Sequence, residues 1–430
     1  MTHDTLALFG GRPTIEEALP TYVGTGEAET AAVMRVMRSG KLSSFYGSWG
    51  DQFLGGQEVQ RFEREWAALY GVAHAVSVNS ATSGLIAAMG AIGLGPGDEV
   101  IVPPFTMSAT VVAPLFYGAI PVFVDIEATT FCIDVEQVRR RLTPRTRAIV
   151  AVDLFGHPAE LARLRALADE RGIWLIEDAA QAPLAREGDR FAGTVGHIGI
   201  YSLNYHKHIH TGEGGMCVTD DARLAQRLQM IRNHAESIVE PAGVADLTNM
   251  IGFNFRLTEL LAAIGSAQLA SVSTHVEART RIAARLNSSL EDLDGLTVPL
   301  ARKDCEHAYY LWAFKLDEAR SGCSREAFSR ALAAEGVPHF VGYTRPLYLL
   351  PAFQRRIAIG RSGFPFALSD VSYEAGSCPV AERMWDRELI CFEICMYDLD
   401  DRRTEDIIRA VRKVHARRAD LAAGTAPHPG

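Results

Sequence analysis

The stretch RAIVAVDLFGHPAELARLRALADERGIWLIED, residues 147–178, decides the fold. It opens on one short apolar run, RAIVAVDL, and closes on another, GIWLIED. The segment between them, PAELARLRALADERG, reads as a helix. Two short apolar runs joined by a helix are the signature of parallel strands with a crossover connection. Working outward, the same kind of run recurs upstream as HAVSVN (74–79), DEVIVPP (98–104) and IPVFVDI (120–126). In QEVQRFEREWAALYG, Val59, Phe62, Trp66 and Leu69 fall at three- and four-residue steps, the stripe of a surface helix. The reading is α/β: a doubly wound, mostly parallel sheet in three layers, with a smaller C-terminal α/β domain. In such sheets ligands collect at the carboxyl ends of the strands.

Downstream, IGIYSLNY and GGMCVTD read as two more strands, and a long helical pattern from LTELLAAIGSAQLASV to TRIAARLNSSLEDL carries the chain out of the large domain. The expected division is 1–285 for a large domain with an N-terminal arm, 286–418 for the small domain and 419–430 for a flexible tail. A chain of 430 residues suits two such units. The net charge of −9 and the lack of a basic stripe argue against nucleic acid or an anionic membrane as partner. No apolar run reaches the roughly 18 residues of a membrane span. Seven scattered cysteines without a CxxC pair fit a reducing compartment, so the expected location is cytoplasmic. Small molecules are the expected partners.

Between those last two strands lies YSLNYHKHIHTGEGG, residues 201–215. In an extended segment His206, His208 and His210 would share one face and Lys207 the other. Three imidazoles can hold zinc, or they can simply line a polar loop; catalytic zinc sites draw ligands from more than one element, which favours the loop. Lys207 gains weight from three motifs elsewhere. In LIEDAAQAP, Asp178 ends an apolar strand, and a carboxylate there is costly unless it meets a cation or caps a helix. Facing a pyridine nitrogen at about 3 Å, it would gain about 5 kcal/mol at an effective dielectric of roughly 20. Gln181, three residues on, would reach a ring hydroxyl. In SVNSATSGLIAAM, a turn of small residues opens a helix whose free N–H groups favour an anion, with Thr82 adding a hydroxyl; capping alone also explains Ser80 and Thr82. In IGFNFRLTELLAAIGSAQL, Asn254 and Arg256 interrupt an apolar segment just before a helix capped by Thr258.

Together these residues resemble the DegT/StrS group of sugar aminotransferases, within the aspartate aminotransferase fold of enzymes dependent on pyridoxal 5'-phosphate (PLP). The likeness lies in Ser202 five residues before Lys207, the GEGG of 212–215, EDAAQ, the SAT turn, PVFVDI and GFNFRLTELLAAIGSAQL, in that order. It runs from about residue 15 to 415. It implies that Lys207 forms the Schiff base with the cofactor and that Asp178 pairs with the pyridinium. It further implies that Gln181 bonds the ring oxygen and that Ala81, Thr82 and Ser202 hold the phosphate. Asn254 corresponds to an asparagine that reaches the phosphate from a neighbouring subunit, which implies a homodimer with shared active sites. No metal is implied.

Two positions depart from the family's pattern. Met107, in PPFTMSAT, stands where many members stack an aromatic ring on the cofactor, so either Met107 or Phe105 would cover it. Asp153 stands where a histidine is common. The expected reaction moves an amino group from L-glutamate or L-glutamine to a keto-sugar, free, phosphorylated or nucleotide-linked, or to a keto-cyclitol. LALFGGRPTIEEALP is similar to the start of branches that make antibiotic amino sugars. Related dehydratases carry histidine in place of the lysine, so Lys207 speaks against them; an aminobenzoate synthase and a noncatalytic relative are further readings. His307, Tyr309, Tyr343 and Arg345 are candidate substrate contacts, with core or surface roles the simpler reading for each.

Overall fold

The computed structural model describes residues 5–423. Nine strands follow in the first part of the chain: β1 (His74–Val78), β2 (Glu99–Val102), β3 (Ile120–Phe123), β4 (Thr146–Val152), β5 (Trp174–Asp178), β6 (Arg186–Glu187), β7 (Arg190–Phe191), β8 (Ile198–Ser202) and β9 (Gly215–Thr219). Seven of them form one sheet in the order β1-β9-β8-β5-β4-β2-β3. Only β9 runs against the rest, pairing antiparallel with β1 and β8. Every residue of β2, β3 and β9 is buried, as a sheet covered on both faces demands.

The covering helices are α1 (Glu27–Ser39), α2 (Gln57–Tyr70), α3 (Ala81–Ala91), α4 (Ala109–Leu115), α5 (Val135–Arg141), α6 (Leu161–Arg171), α7 (Ala222–Arg232), α8 (Glu259–Leu269) and α9 (Val272–Leu290). Side-chain caps start several of them: Asp134 accepts from Glu136 N and Gln137 N, Asp221 from Arg223 N and Leu224 N, and Thr258 from Leu261 N. In α2 the buried stripe is Val59, Phe62, Trp66 and Tyr70, and Leu69 is only half-buried. Tyr70, four residues after Trp66, completes the stripe by stacking on it at 5.2 Å and 17°.

The C-terminal part adds β10 (Leu296–Thr297), β11 (Cys305–Glu306), β12 (Trp312–Leu316), β13 (Phe340–Val341) and β14 (Leu389–Phe392). Four of these form an antiparallel sheet ordered β10-β12-β14-β13, while β11 pairs with β6 and ties the two parts together. The N-terminal arm, grouped by sequence with the large domain, hydrogen-bonds there through Tyr22 Oη and His275 Nδ1 and also reaches the C-terminal unit. The Glu335 carboxylate accepts from Ala7 N, Thr14 N and Lys413 Nζ, all at 2.9 Å. Tyr22 N donates to Met396 O, and Thr21 bridges Tyr397. The arm's own short segments carry no periodicity, so this docking has no mark in the sequence. The expected tail begins inside a helix, Arg418–Ala423, and its remainder from residue 424 lies outside the described residues. Among the described residues no helix is long and apolar enough to cross a membrane.

Candidate active site

The carboxyl ends of β4, β5 and β8 converge where the sequence motifs fall. The two acids that end β5 separate by strand alternation. Glu177 accepts from Gly193 N at 2.5 Å and from Gly196 N, and burial pushes its carboxyl up to about 7. Asp178 turns to the other face, where its Oδ2 accepts from Thr110 Oγ1 at 2.8 Å and its Oδ1 from Ala180 N at 3.3 Å. Burial raises the Asp178 pKa, opposed by Thr110, Ala180 N and the charge of Lys207. The helix-cap reading of Asp178 thus survives only as the single turn contact to Ala180.

Lys207 sits on a loop closed upon itself by Leu203 N to Gly214 O and Thr211 N to Leu203 O. The loop is not extended: a turn joins Lys207 N to Asn204 O at 2.9 Å, so strand alternation does not order the three histidines. His208 is buried with Nε2 against Ala308 O at 2.8 Å, and His210 Nδ1 accepts from Gly212 N. No group of three His, Cys, Asp or Glu side chains able to hold a metal occurs among the described residues. Lys207 is half-buried, and loss of water around its amine lowers the pKa to about 8, against the pull of the Asp178 carboxylate. Its Nζ lies over the ring of Tyr310.

The phosphate motif folds as a strand-to-helix corner. Ser80 caps α3 by accepting from Ser83 N, which leaves Thr82 exposed at the helix start and the first backbone N–H groups without intrahelical partners. Gly215 pairs with Ser202 across β8 and β9 and passes directly beneath this corner. A Cβ on Gly215 would lie 2.7 Å from both Ala81 N and Ser80 C. Ala81, Thr82, Ser202 and Gly215 therefore border one small cradle. Gly215→Ala is expected to destabilise the fold by about 1–3 kcal/mol through overpacking and to lessen the thermal stabilisation that PLP confers, read by melting with and without cofactor.

Gln181 is fixed from both ends of its amide: Oε1 accepts from Phe155 N at 2.7 Å and Nε2 donates to Tyr343 Oη at 2.9 Å. Tyr343 packs edge-on against Phe155 and Phe105. Phe105 is fully buried in that contact, whereas Met107 is 60% exposed, so Met107 is the accessible side chain of the two. Asp153 is buried, accepts from Ala159 N through Oδ1 and leaves Oδ2 without a partner; burial and Glu177 push its pKa well up. Asn254 stands apart. Its side chain is exposed and engaged by Arg256 Nε at 2.8 Å, with its backbone oxygen near Asn79. His307 and Tyr309 stack on each other at 3.8 Å, and Tyr309 Oη lies against Asn287 and Pro299, turned into the core. Arg345 is exposed.

The structure thus gathers Asp178, Gln181, Lys207, Ser202 and the Ala81–Thr82 corner, and leaves Asn254 outside the group. Thr110 and Tyr310 were missed: both touch site residues that are remote along the chain. The donor set suits a phosphorylated pyridine aldehyde. It offers an amine of lowered pKa, a buried carboxylate beside it, and a helix N-terminus roofed over a position where only glycine fits.

Residues 27–392 match the model of the DegT/DnrJ/EryC1/StrS aminotransferase family. An L-glutamine:2-deoxy-scyllo-inosose aminotransferase of Streptoalloteichus tenebrarius is 33% identical over 430 residues, 97% of this chain and 99% of its own. A dTDP-3-amino-3,4,6-trideoxy-alpha-D-glucose transaminase of Streptomyces venezuelae is 36% identical over 328 residues, 76% of this chain and 80% of its own. The solved structure of DesI in the presence of its TDP-sugar product superposes with a TM-score of 0.77 at 29% identity, covering 98% of each chain. The matched span takes in β1 to β14 and every residue of the site, and so the chain belongs to the DegT/DnrJ/EryC1/StrS aminotransferase family.

Proposed function

We propose that this protein is a PLP-dependent aminotransferase that passes nitrogen from L-glutamine or L-glutamate to a keto-cyclitol, with a keto-sugar as second reading. The observation that carries the transaminase reading is Lys207, an amine of lowered pKa placed beside the buried Asp178 carboxylate. The cyclitol is favoured because the Streptoalloteichus relative matches along 97% of this chain, against 76% for the dTDP-sugar transaminase. The tertiary fold does not separate the two, since DesI covers 98% of the chain.

When bound, PLP supplies an electron sink for the carbon that loses a proton. Around it the chain's own residues divide the work. Asp178, oriented by Thr110 Oγ1, would favour a proton on the ring nitrogen. Gln181, its amide held by Phe155 and Tyr343, would bond the ring oxygen. The Ala81–Thr82 corner and Ser202 would hold the phosphate. Lys207 would hold the aldehyde and, when free as a neutral amine, would take up a proton at Nζ and give it back as the ammonium. Asn254 would serve the site of a second copy, which makes a homodimer the expected active unit.

Lys207 can attack an aldehyde only when deprotonated. With its pKa lowered from 10.5 to about 8, the neutral fraction at pH 7 is roughly 300-fold that of an ordinary lysine. Cofactor capture by stripped protein should therefore slow about tenfold for each pH unit below about 8 and level off above it, followed by growth of the visible absorbance band. The substrate reading is tested by offering L-glutamine and L-glutamate against keto-cyclitols and nucleotide-linked keto-sugars side by side, with products identified by mass spectrometry. Amination of the nucleotide sugars alone would replace the cyclitol with the second reading. A purified protein that binds PLP yet releases a dehydrated or aromatic product would remove both.

A further inference from the structure

We propose that Tyr310 is a positioning residue for Lys207: its ring face receives the ε-ammonium whenever the lysine is free of cofactor and holds Nζ on the Asp178 side of the site. Lys207 Nζ lies 4.2 Å from the centroid of the Tyr310 ring. Asp178 acts on the amine only through its charge, with no side-chain hydrogen bond to it, so the ring is the close contact. The face of an aromatic ring is electronegative and attracts a cation, most strongly where water is scarce.

Tyr310 is held independently of the lysine. Its backbone N donates to Phe155 O at 2.7 Å, in the turn where Gly156 takes φ +98°. A Cβ at Gly156 would lie 2.9 Å from Tyr309 N and 3.1 Å from Tyr310 N, so glycine lets the two backbones meet. The same turn offers Phe155 N to Gln181. The ring is 8% exposed, with His206 and His208 beyond it at 5.9 and 6.5 Å. The titratable groups around the pair are Asp178, Cys395 and His206 near the amine, and Tyr205, Tyr343 and Glu393 near the phenol. A lysine that returns to the same ring after each release needs no search before it takes up the next proton, and the ring stabilises the protonated form it then carries.

The inference rests on Lys207 being the cofactor lysine, and its test separates the two. Holoenzyme loaded with pyridoxamine phosphate leaves that amine free. The chain has only five lysines, at 41, 207, 303, 315 and 413, so trace acetylation over a pH series, read by peptide mass spectrometry, isolates the Lys207 midpoint against exposed Lys41. Tyr310→Phe keeps the ring face and should keep the wild-type midpoint. Tyr310→Leu should lower it by about one pH unit, and the acid limb of the single-turnover pH profile should move with it. Tyr310→Met replaces the leucine variant if that one is insoluble. An unchanged or raised midpoint in the apolar variant overturns the proposal, as does a phenylalanine variant that shifts equally, since the hydroxyl would then be the active part. Wild-type protein that forms no visible band with PLP overturns the cofactor assignment instead, whatever the midpoints show.

Discussion

Lys207→Ala is expected to lower turnover by more than about 10⁴-fold and to abolish the visible absorbance of bound cofactor. The amine at this position has two tasks, and alanine removes both: no covalent anchor for the aldehyde remains, and no base stands at the carbon to be deprotonated. Nearby groups do not replace it. His206 is pushed down to about 4 and His208 to about 3 by burial, so both are weak bases, and Cys395 is pushed up to about 11. Lys207→Arg should fare no better, because a guanidinium stays protonated and forms no such link. Absorbance spectra and steady-state assays of the two variants decide the matter, and a variant that keeps both colour and rate defeats the assignment.

The second large effect belongs to Asp178. Asparagine has nearly the same shape and its one amide oxygen still accepts from Thr110, so Asp178→Asn removes the charge and gives up the 3.3 Å contact from Ala180 N. At about 3 Å and an effective dielectric of roughly 20, the lost attraction for a ring-nitrogen proton is about 5 kcal/mol, or about 10³- to 10⁴-fold in rate as an upper range. Because Lys207 is untouched, the visible band should persist while single-turnover amino transfer slows, which separates this variant from Lys207→Ala. Asp178→Asn protein that reacts within tenfold of wild type would show that no ring proton depends on this carboxylate. A smaller second signature is expected as well. Without the carboxylate that draws its pKa up, Lys207 should deprotonate at lower pH than in wild type.

The sheet was legible because each strand is a compact β-branched run set between helical stretches, as in 147–178, and parallel pairing follows from that alternation. The strand-end positions of Asp178 and Ser202 came with it. The geometry of the lysine loop was not legible: a stretch of polar residues beside glycines reads equally as extended or turned, and the Lys207–Asn204 turn settles it. Thr110 is 68 residues from the Asp178 it bonds, and parallel topology brings them together without any local pattern. Tyr310 lies in AYYLWAFKLD, where an aromatic reads as core, and its neighbour Tyr309 is indeed packed inward. One tyrosine of the pair lies against Lys207 and the other against Asn287 and Pro299, a difference that side-chain type does not announce.

Residues 7 to 22 touch the C-terminal unit through Glu335 and Met396, and the chain returns to that unit after α9. Two covalent crossings therefore join the units. Together with the β11–β6 pairing, the two crossings oppose any parting of one unit from the other. Proteolytic nicking at one crossing would leave the halves tethered by the other, and only a double cut would set either free.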